Sequence, residues 1–213
     1  MKLFFQKVIL SALFLMLLGV SVCAQMDEAG KNELSVWGGG SPDSSTILPI
    51  GDTKDARFAI VAGRYSRRFN NSDTVNLRYT ADFVSAAVLS YPFFQSVQTG
   101  ANTFRVDRVR RRAYAYGVAP LGLQLNFRPR KKVQPFIGAS GGFLYFNKQI
   151  LDFTGTRFNF TVDAGGGVDF RMWRGRGVTV GYKYHHISNG GRGVNNPGFD
   201  NNLFYIGYTF LLK

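Results

Sequence analysis

Phe158-Asn159-Phe160-Thr161-Val162-Asp163-Ala164-Gly165-Gly166-Gly167-Val168-Asp169-Phe170-Arg171-Met172 is the stretch that decides the fold. Phe158, Phe160, Val162, Ala164, Gly166, Val168, Phe170 and Met172 share one parity, and Asn159, Thr161, Asp163, Gly165, Gly167, Asp169 and Arg171 share the other. Successive side chains of a strand point to opposite faces, so this period of two makes a ribbon greasy on one side and polar or tiny on the other. A soluble sandwich would turn the greasy face inward. A membrane barrel turns it to lipid and gives its polar face to the lumen. Alternation alone fits both.

The rest of the chain favours the barrel. Runs with the same period recur near 33–40, 56–68, 75–91, 113–127, 133–147, 177–188 and 202–212, which with 158–172 makes about eight strands. That is the smallest common outer-membrane barrel, whose strands need ~9–11 residues to cross. Connections at 69–74, 128–132 and 173–176 are short, while those at 41–55, 92–112, 148–157 and 189–201 are longer. Short turns belong to the periplasmic side and long loops to the outside, so with a periplasmic N-terminus the seventh strand runs outward. The turn at 128–132 carries Arg128, Arg130, Lys131 and Lys132, a solvated set of charges.

Residues 1–24 have the pattern of a cleaved secretory signal: Lys2 and Lys7, a nearly unbroken apolar run at 8–20, then Val22-Cys23-Ala24 before Gln25. The apolar run falls short of a membrane-spanning helix, which needs ~20 residues. A lipoprotein site at Cys23 is the lesser alternative, because bulky Val22 precedes the cysteine. Cleavage after Ala24 leaves residues 25–213 as one domain with no cysteine, hence no disulfide and no thiol chemistry. The net charge of +13 raises nucleic acid as a partner. Export argues against that and for the phosphate-bearing surface of a bacterial membrane. Arg108, Arg110, Arg111 and Arg112 are the densest basic group; they are either a solvated loop or bidentate contacts for lipopolysaccharide phosphate.

The seventh strand ends in His186-Ile187-Ser188-Asn189-Gly190-Gly191, followed by Asn196-Pro197-Gly198 and Asp200. His186 and Ser188 continue the parity of Val178, Val180, Tyr182 and Tyr184, the set expected to face lipid, while Lys183 and His185 face the lumen. Asp200 and Asn202 share the lipid-facing parity of Phe204, Ile206, Tyr208 and Phe210 if the last strand reaches back that far. A serine needs a base to become a nucleophile, and a carboxylate can fix the tautomer of that base. Asn189 by its side chain and Gly191 by its N–H are candidate donors to an oxyanion. Polar groups on the outer wall of a barrel suit a substrate that is itself a lipid.

The H-x-S-N segment with the acid that follows resembles the lipid A 3-O-deacylase family of the Gram-negative outer membrane. The resemblance implies an eight-stranded barrel with Ser188 as nucleophile, His186 as base, Asp200 as orienting acid, and Asn189 and Gly191 as oxyanion donors. It departs in one place: the family's best-known members carry Glu where this chain has Asp200, so the third role falls to Asp200 or to neighbouring Asn201 or Asn202.

The expectation is thus an all-β, eight-stranded antiparallel transmembrane barrel that acts as an outer-membrane serine esterase on lipid A, by 3-O-deacylation, or on a closely related lipid. Its site lies near the extracellular leaflet, with Arg108, Arg110 and Arg111 as candidate contacts for substrate phosphate. No cofactor, metal or nucleic acid is expected; the partners are lipopolysaccharide and membrane lipid, with a homodimer left open. The alternative is a non-catalytic small barrel with a structural or lipopolysaccharide-binding role, and a phospholipid esterase is a third. A barrel of eight strands is mostly filled by its own side chains, which argues against an aqueous pore.

Overall fold

In the computed structural model eight antiparallel strands follow one another around a closed barrel: β1 (Asn32–Ser41), β2 (Arg57–Arg68), β3 (Val75–Gln98), β4 (Phe104–Phe127), β5 (Val133–Phe146), β6 (Phe158–Arg171), β7 (Gly177–Ser188) and β8 (Phe199–Leu211). β8 returns to pair with β1, so no sheet edge remains around the wall. The structure describes residues 31–44, 50–51, 53–151, 155–172, 175–196 and 198–211. The expected signal segment 1–24, Cys23 and the Gln25 start all lie outside these.

The alternation of β6 is realised as expected. Asn159, Thr161, Asp163 and Asp169 are buried in the lumen, and Val162 and Phe170 stand on the outer surface. β7 repeats it, with Lys183, His185 and Ile187 inside and Val180 outside. The wall presented to lipid is completed by Val61, Phe83, Leu121, Leu123, Ile137, Phe204, Ile206 and Phe210, all exposed.

The lumen is filled in two tiers. From its middle to the end at which β1 begins it is ionic. Asp82 accepts Arg64 Nε at 2.6 Å and Nη2 at 2.8 Å and Trp37 Nε1 at 3.2 Å. Lys183 Nζ sits 3.5 Å from Asp163 and 4.1 Å above the Trp37 ring. Asp163 also takes the Ser140 hydroxyl at 2.9 Å and pairs with His185 Nδ1. Lower down, Glu33 bridges Arg78 at 2.6 Å and Arg171 at 2.8 Å, while Asp169 accepts Asn126 and Thr179. Arg64, Arg78, Arg171 and Lys183 are thus answered by Glu33, Asp82, Asp163 and Asp169, the pairing that buried charge requires. Above this tier the lumen becomes apolar: Phe58, Ile60, Leu89, Tyr91, Leu144, Phe146, Ile187, Phe199 and Leu203 close the end at which β7 finishes and β8 begins. Phe58 stacks on His185 at 5.2 Å, joining the two tiers.

Three boundaries differ from those expected from sequence. The stretch 92–112 is not a long loop. β3 and β4 run on together as a two-stranded ribbon, with Phe94 opposite Arg108 and Gln98 opposite Phe104, leaving a connection of only 99–103. Arg108, Arg110, Arg111 and Arg112 therefore stand on a strand. The ribbon lies beyond the lipid-spanning part, where neither face must be apolar, so its alternation is weak. β8 begins at Phe199 rather than 202, which brings Asp200 into the sheet. Finally, register shifts at Val84/Ala87, opposite Val61/Ala62, and at Val118/Leu121, opposite Thr80/Asp82, flip the parity within β3 and β4, while β2 keeps Phe58, Ile60 and Ala62 inside; Pro120, which cannot donate to a ladder, sits at the shift in β4.

Candidate active site

β7 and β8 are adjacent antiparallel strands, and their register sets His186 directly opposite Asp200. Both project from the outer wall. His186 Nδ1 and Asp200 Oδ1 are 2.6 Å apart, and the histidine side chain is 15% exposed. With Nδ1 engaged, Nε2 is the ring nitrogen that remains for another partner. The neighbouring polar residues take other places: Asn201 is buried on the lumen side, and Asn202 accepts the Tyr182 hydroxyl at 2.6 Å. Of the three candidates for the acid, Asp200 is the one bonded to His186.

Ser188 is the next residue of the same parity beyond His186, in register with Phe160 of β6. Gly198 lies against both: a Cβ there would stand 3.1 Å from His186 Cε1 and 3.4 Å from Ser188 Cβ. Among the described residues Ser188 and His186 do not share a hydrogen bond. Catalytic hydrogen bonds of this kind often tighten only when substrate is bound.

Past Ser188 the chain turns through Gly190 and Gly191, at φ of 65° and 75°, a left-handed pair that side-chain-bearing residues rarely adopt. Asn189 organises this turn and is 2% exposed. Its N–H is donated to Asn196 Oδ1 at 3.0 Å, its Nδ2 donates to the Asn195 carbonyl at 2.7 Å, and its Oδ1 accepts the Gly191 N–H at 2.9 Å. The two expected oxyanion donors are therefore bonded to each other here. Asn189 Nδ2 keeps a second hydrogen, since an amide carries two.

The surface beside Ser188 is aromatic. Phe143 stacks on Phe158 at 5.1 Å, Phe158 meets Phe160 edge-on at 5.2 Å, and Val162 opposite His186 is 57% exposed. Arg192 spans these rings, its guanidinium carbon 4.8 Å from the Phe160 centroid and 5.5 Å from that of Phe158. Sequence reasoning passed over Arg192, although its position four residues after Ser188 was a usable signal. It also passed over Ile50 and Gly51, whose backbone N–H groups reach Asp200 Oδ2 at 3.0 Å and 2.8 Å. No side-chain pattern marks a backbone donor.

Arg108, Arg110 and Arg111 are elsewhere. In strand order β3–β4 and β7–β8 are on opposite sides of the barrel. Arg108 pairs with Asp55, Arg110 donates to the Asp55 carbonyl at 3.0 Å and the Ser90 carbonyl at 3.2 Å, and Arg111 lies 3.3 Å over the Phe93 ring. Arg108 and Arg110 line a cavity of about 440 Å³ together with Arg57, Asp43 and Asp55.

Comparison with known proteins gives a consistent picture. The family model described as lipid A 3-O-deacylase (PagL) matches residues 65–209, more than half of the chain. Among solved structures, the crystal structure of the outer membrane enzyme PagL aligns at a TM-score of 0.51 and 17% identity, covering 84% of this chain and 98% of that one. Neisserial surface protein A aligns at 0.45 and 12%, covering 86% and 98%. The Ail protein of Yersinia pestis aligns at 0.37 and 16%, covering 84% and 97%. No curated protein sequence matches.

Proposed function

Because the chain belongs to the lipid A 3-O-deacylase (PagL) family, we propose that it hydrolyses an ester-linked acyl chain of lipid A in the bacterial outer membrane, using Ser188, His186 and Asp200. Ser188 Oγ attacks the acyl carbonyl while His186 Nε2 takes its proton. The tetrahedral intermediate collapses, the bond from the acyl carbon to the sugar oxygen breaks, and His186 returns the proton to that oxygen. Water, deprotonated by the same imidazole, then releases the fatty acid from Ser188. Asp200 holds Nδ1–H and stabilises the imidazolium that forms in each half.

The observation that carries this reading is the His186–Asp200 bond on the outward face, one step of parity from Ser188. A triad on the wall meets its ester from within the membrane, and the Phe143–Phe158–Phe160 surface offers the released acyl chain an apolar bed. The site lies at the end of the barrel where the connections 42–56, 147–157 and 189–198 gather, the end expected to face outward, level with lipid A of the outer leaflet. Asn189 Nδ2 and, once freed from Asn189 Oδ1, the Gly191 N–H supply the oxyanion donors. The cavity lined by Arg57, Arg108 and Arg110 has the charge and the bidentate donors to take a phosphate of a lipopolysaccharide molecule, with Arg111 beside it.

Mass spectrometry of lipid A from cells carrying the wild-type chain or Ser188→Ala tests the proposal. The expected result is loss of one ester-linked acyl chain with the wild type and an unaltered pattern with the variant. An unaltered pattern with both would overturn catalysis on lipid A in favour of a structural barrel, and glycerophospholipids assayed in parallel separate a phospholipid esterase.

A further inference from the structure

Asp200 is 1% exposed although its strand parity points it out of the barrel. Residues of the β1–β2 connection cover it. Ile50 and Gly51 donate their backbone N–H groups to Oδ2, Oδ1 meets His186, the Tyr184 hydroxyl also hydrogen-bonds this carboxylate, and Thr53 N–H donates to the Gly198 carbonyl at 3.3 Å. The contact is close enough to demand a glycine: a Cβ on Gly51 would stand 2.5 Å from both the Gly198 oxygen and Phe199 Cα. The Ile50 side chain is 65% exposed, so this residue serves through its amide.

The other end of the same connection, four residues on and just before β2, is staked to the β4 ribbon. Asp55 has a φ of 57°, left-handed for a residue with a side chain. Its carboxylate pairs with Arg108 and its carbonyl accepts Arg110, both from the β4 ribbon. Neither anchor is an ordinary loop contact. One fixes the catalytic carboxylate, and the other holds a backbone conformation that an unsupported aspartate would leave easily.

We propose that Gly51 and Asp55 are positioning residues for the deacylation: the Ile50 and Gly51 amides clamp one oxygen of Asp200 so that the other is aimed at His186, and the Arg108–Asp55–Arg110 contact keeps the clamp in place. This rests on the catalytic role of Asp200 proposed above. The physical need is clear. A carboxylate held out of water on a lipid-facing wall needs donors that replace its lost hydration and fix its orientation. Two amides aimed at one oxygen do both, and they turn a short aspartate into a fixed acceptor. The β4 arginines thereby act on a reaction that takes place across the barrel from them.

The test compares Gly51→Ala and Asp55→Ala, each alone and combined with Asp200→Ala, in the purified full-length barrel with lipopolysaccharide as substrate. Groups that orient a catalytic residue through a second contact typically account for 10–100-fold, so Gly51→Ala should lower kcat by roughly 10-fold or more, and Asp55→Ala by a smaller factor. KM should stay unchanged for Gly51→Ala; for Asp55→Ala, whose side chain lines the arginine cavity, kcat is the readout; and neither substitution should lower kcat further once Asp200 is alanine, because both act through it. Wild-type kcat in Gly51→Ala with an impaired Asp200→Ala overturns the clamp and leaves the triad standing. Losses that multiply in the Asp200→Ala background overturn it as well, as does an Asp55→Ala effect confined to KM. Full activity in Asp200→Ala removes triad and clamp together. Should Gly51→Ala fail to assemble, the exposed Asp55 carries the same comparison without touching the barrel wall.

Discussion

His186 and Asp200 face each other in register across the β7–β8 pair, with Nδ1 and Oδ1 2.6 Å apart. Residues directly opposite in an antiparallel pair hold their Cβ atoms ~4.5–5.5 Å apart, a span that an imidazole and a one-methylene carboxylate close between them. An aspartate, one methylene shorter than a glutamate, therefore reaches the imidazole ring nitrogen without a shift of backbone. The sheet register brings the two residues together, and the Ile50 and Gly51 amides of the β1–β2 connection hold the other carboxylate oxygen.

Replacing Asp200 by Asn keeps the shape and removes the charge that favours the imidazolium. Fatty-acid release by the purified barrel should fall on the order of 10³–10⁴-fold, the scale of the same change in other Ser-His-Asp enzymes. Asp200→Glu should retain part of the activity, since the added methylene pushes against the Ile50 and Gly51 donors without removing the acid.

The turn after Ser188 depends on two left-handed glycines. Gly190→Val adds a strain of ~1–2 kcal/mol and places its Cβ 2.9 Å from the Phe160 ring. The barrel should still show heat-modifiable migration on electrophoresis, while deacylation drops because Asn189 and Gly191 are displaced relative to Ser188.

Glu33 pairs with both Arg78 and Arg171 at the end of the lumen where β1 begins. Glu33→Ala leaves two guanidinium groups buried together, a loss of about 3–5 kcal/mol for breaking a buried pair. Urea-induced unfolding from vesicles should shift to lower denaturant, and the activity of the folded fraction should be unchanged, because Ser188 is at the opposite end.

Ile206 lies on the lipid face between Val180 and Gly38, 61% exposed on the protein surface. Ile206→Arg should destabilise the inserted barrel by about 2–4 kcal/mol, the cost of arginine near the bilayer midplane. The same substitution at Val194, in the β7–β8 connection and 87% exposed, should cost nothing measurable in the same unfolding assay.

Where the lipid and the lumen each imposed a requirement, the sequence displayed it. The alternation of β6–β8 located the wall, the lumen and the outward parity of His186 and Ser188, because one face had to be apolar and the other polar. That discipline lapses in the β3–β4 ribbon, where Phe94 and Arg108 stand opposite each other and both are exposed, so residues 92–112 resembled a loop. It lapses again at the register shifts, where one extra residue reverses parity and only Pro120, at the shift in β4, leaves a compositional mark. Asp200 could be placed only conditionally, since its strand start depended on pairing with β7. The amides of Ile50 and Gly51 were invisible for a simpler reason: every residue but proline has one.

The ribbon has a consequence for how copies of this protein meet in a crowded membrane. Among the described residues, β3 beyond Tyr91 and β4 before Arg111 pair in the sheet only with each other, so each presents a row of unshared amides and carbonyls to the outside. Such open edges invite a strand from a neighbouring molecule. This stretch of β4 and the residues that follow carry Arg105, Arg108, Arg110, Arg111 and Arg112, of which Arg105 pairs with Asp107 and Arg108 with Asp55, so the ribbon keeps a net positive charge. Two copies brought edge to edge would bring two rows of guanidinium groups together. Charge on an open edge of this kind opposes edge-to-edge pairing.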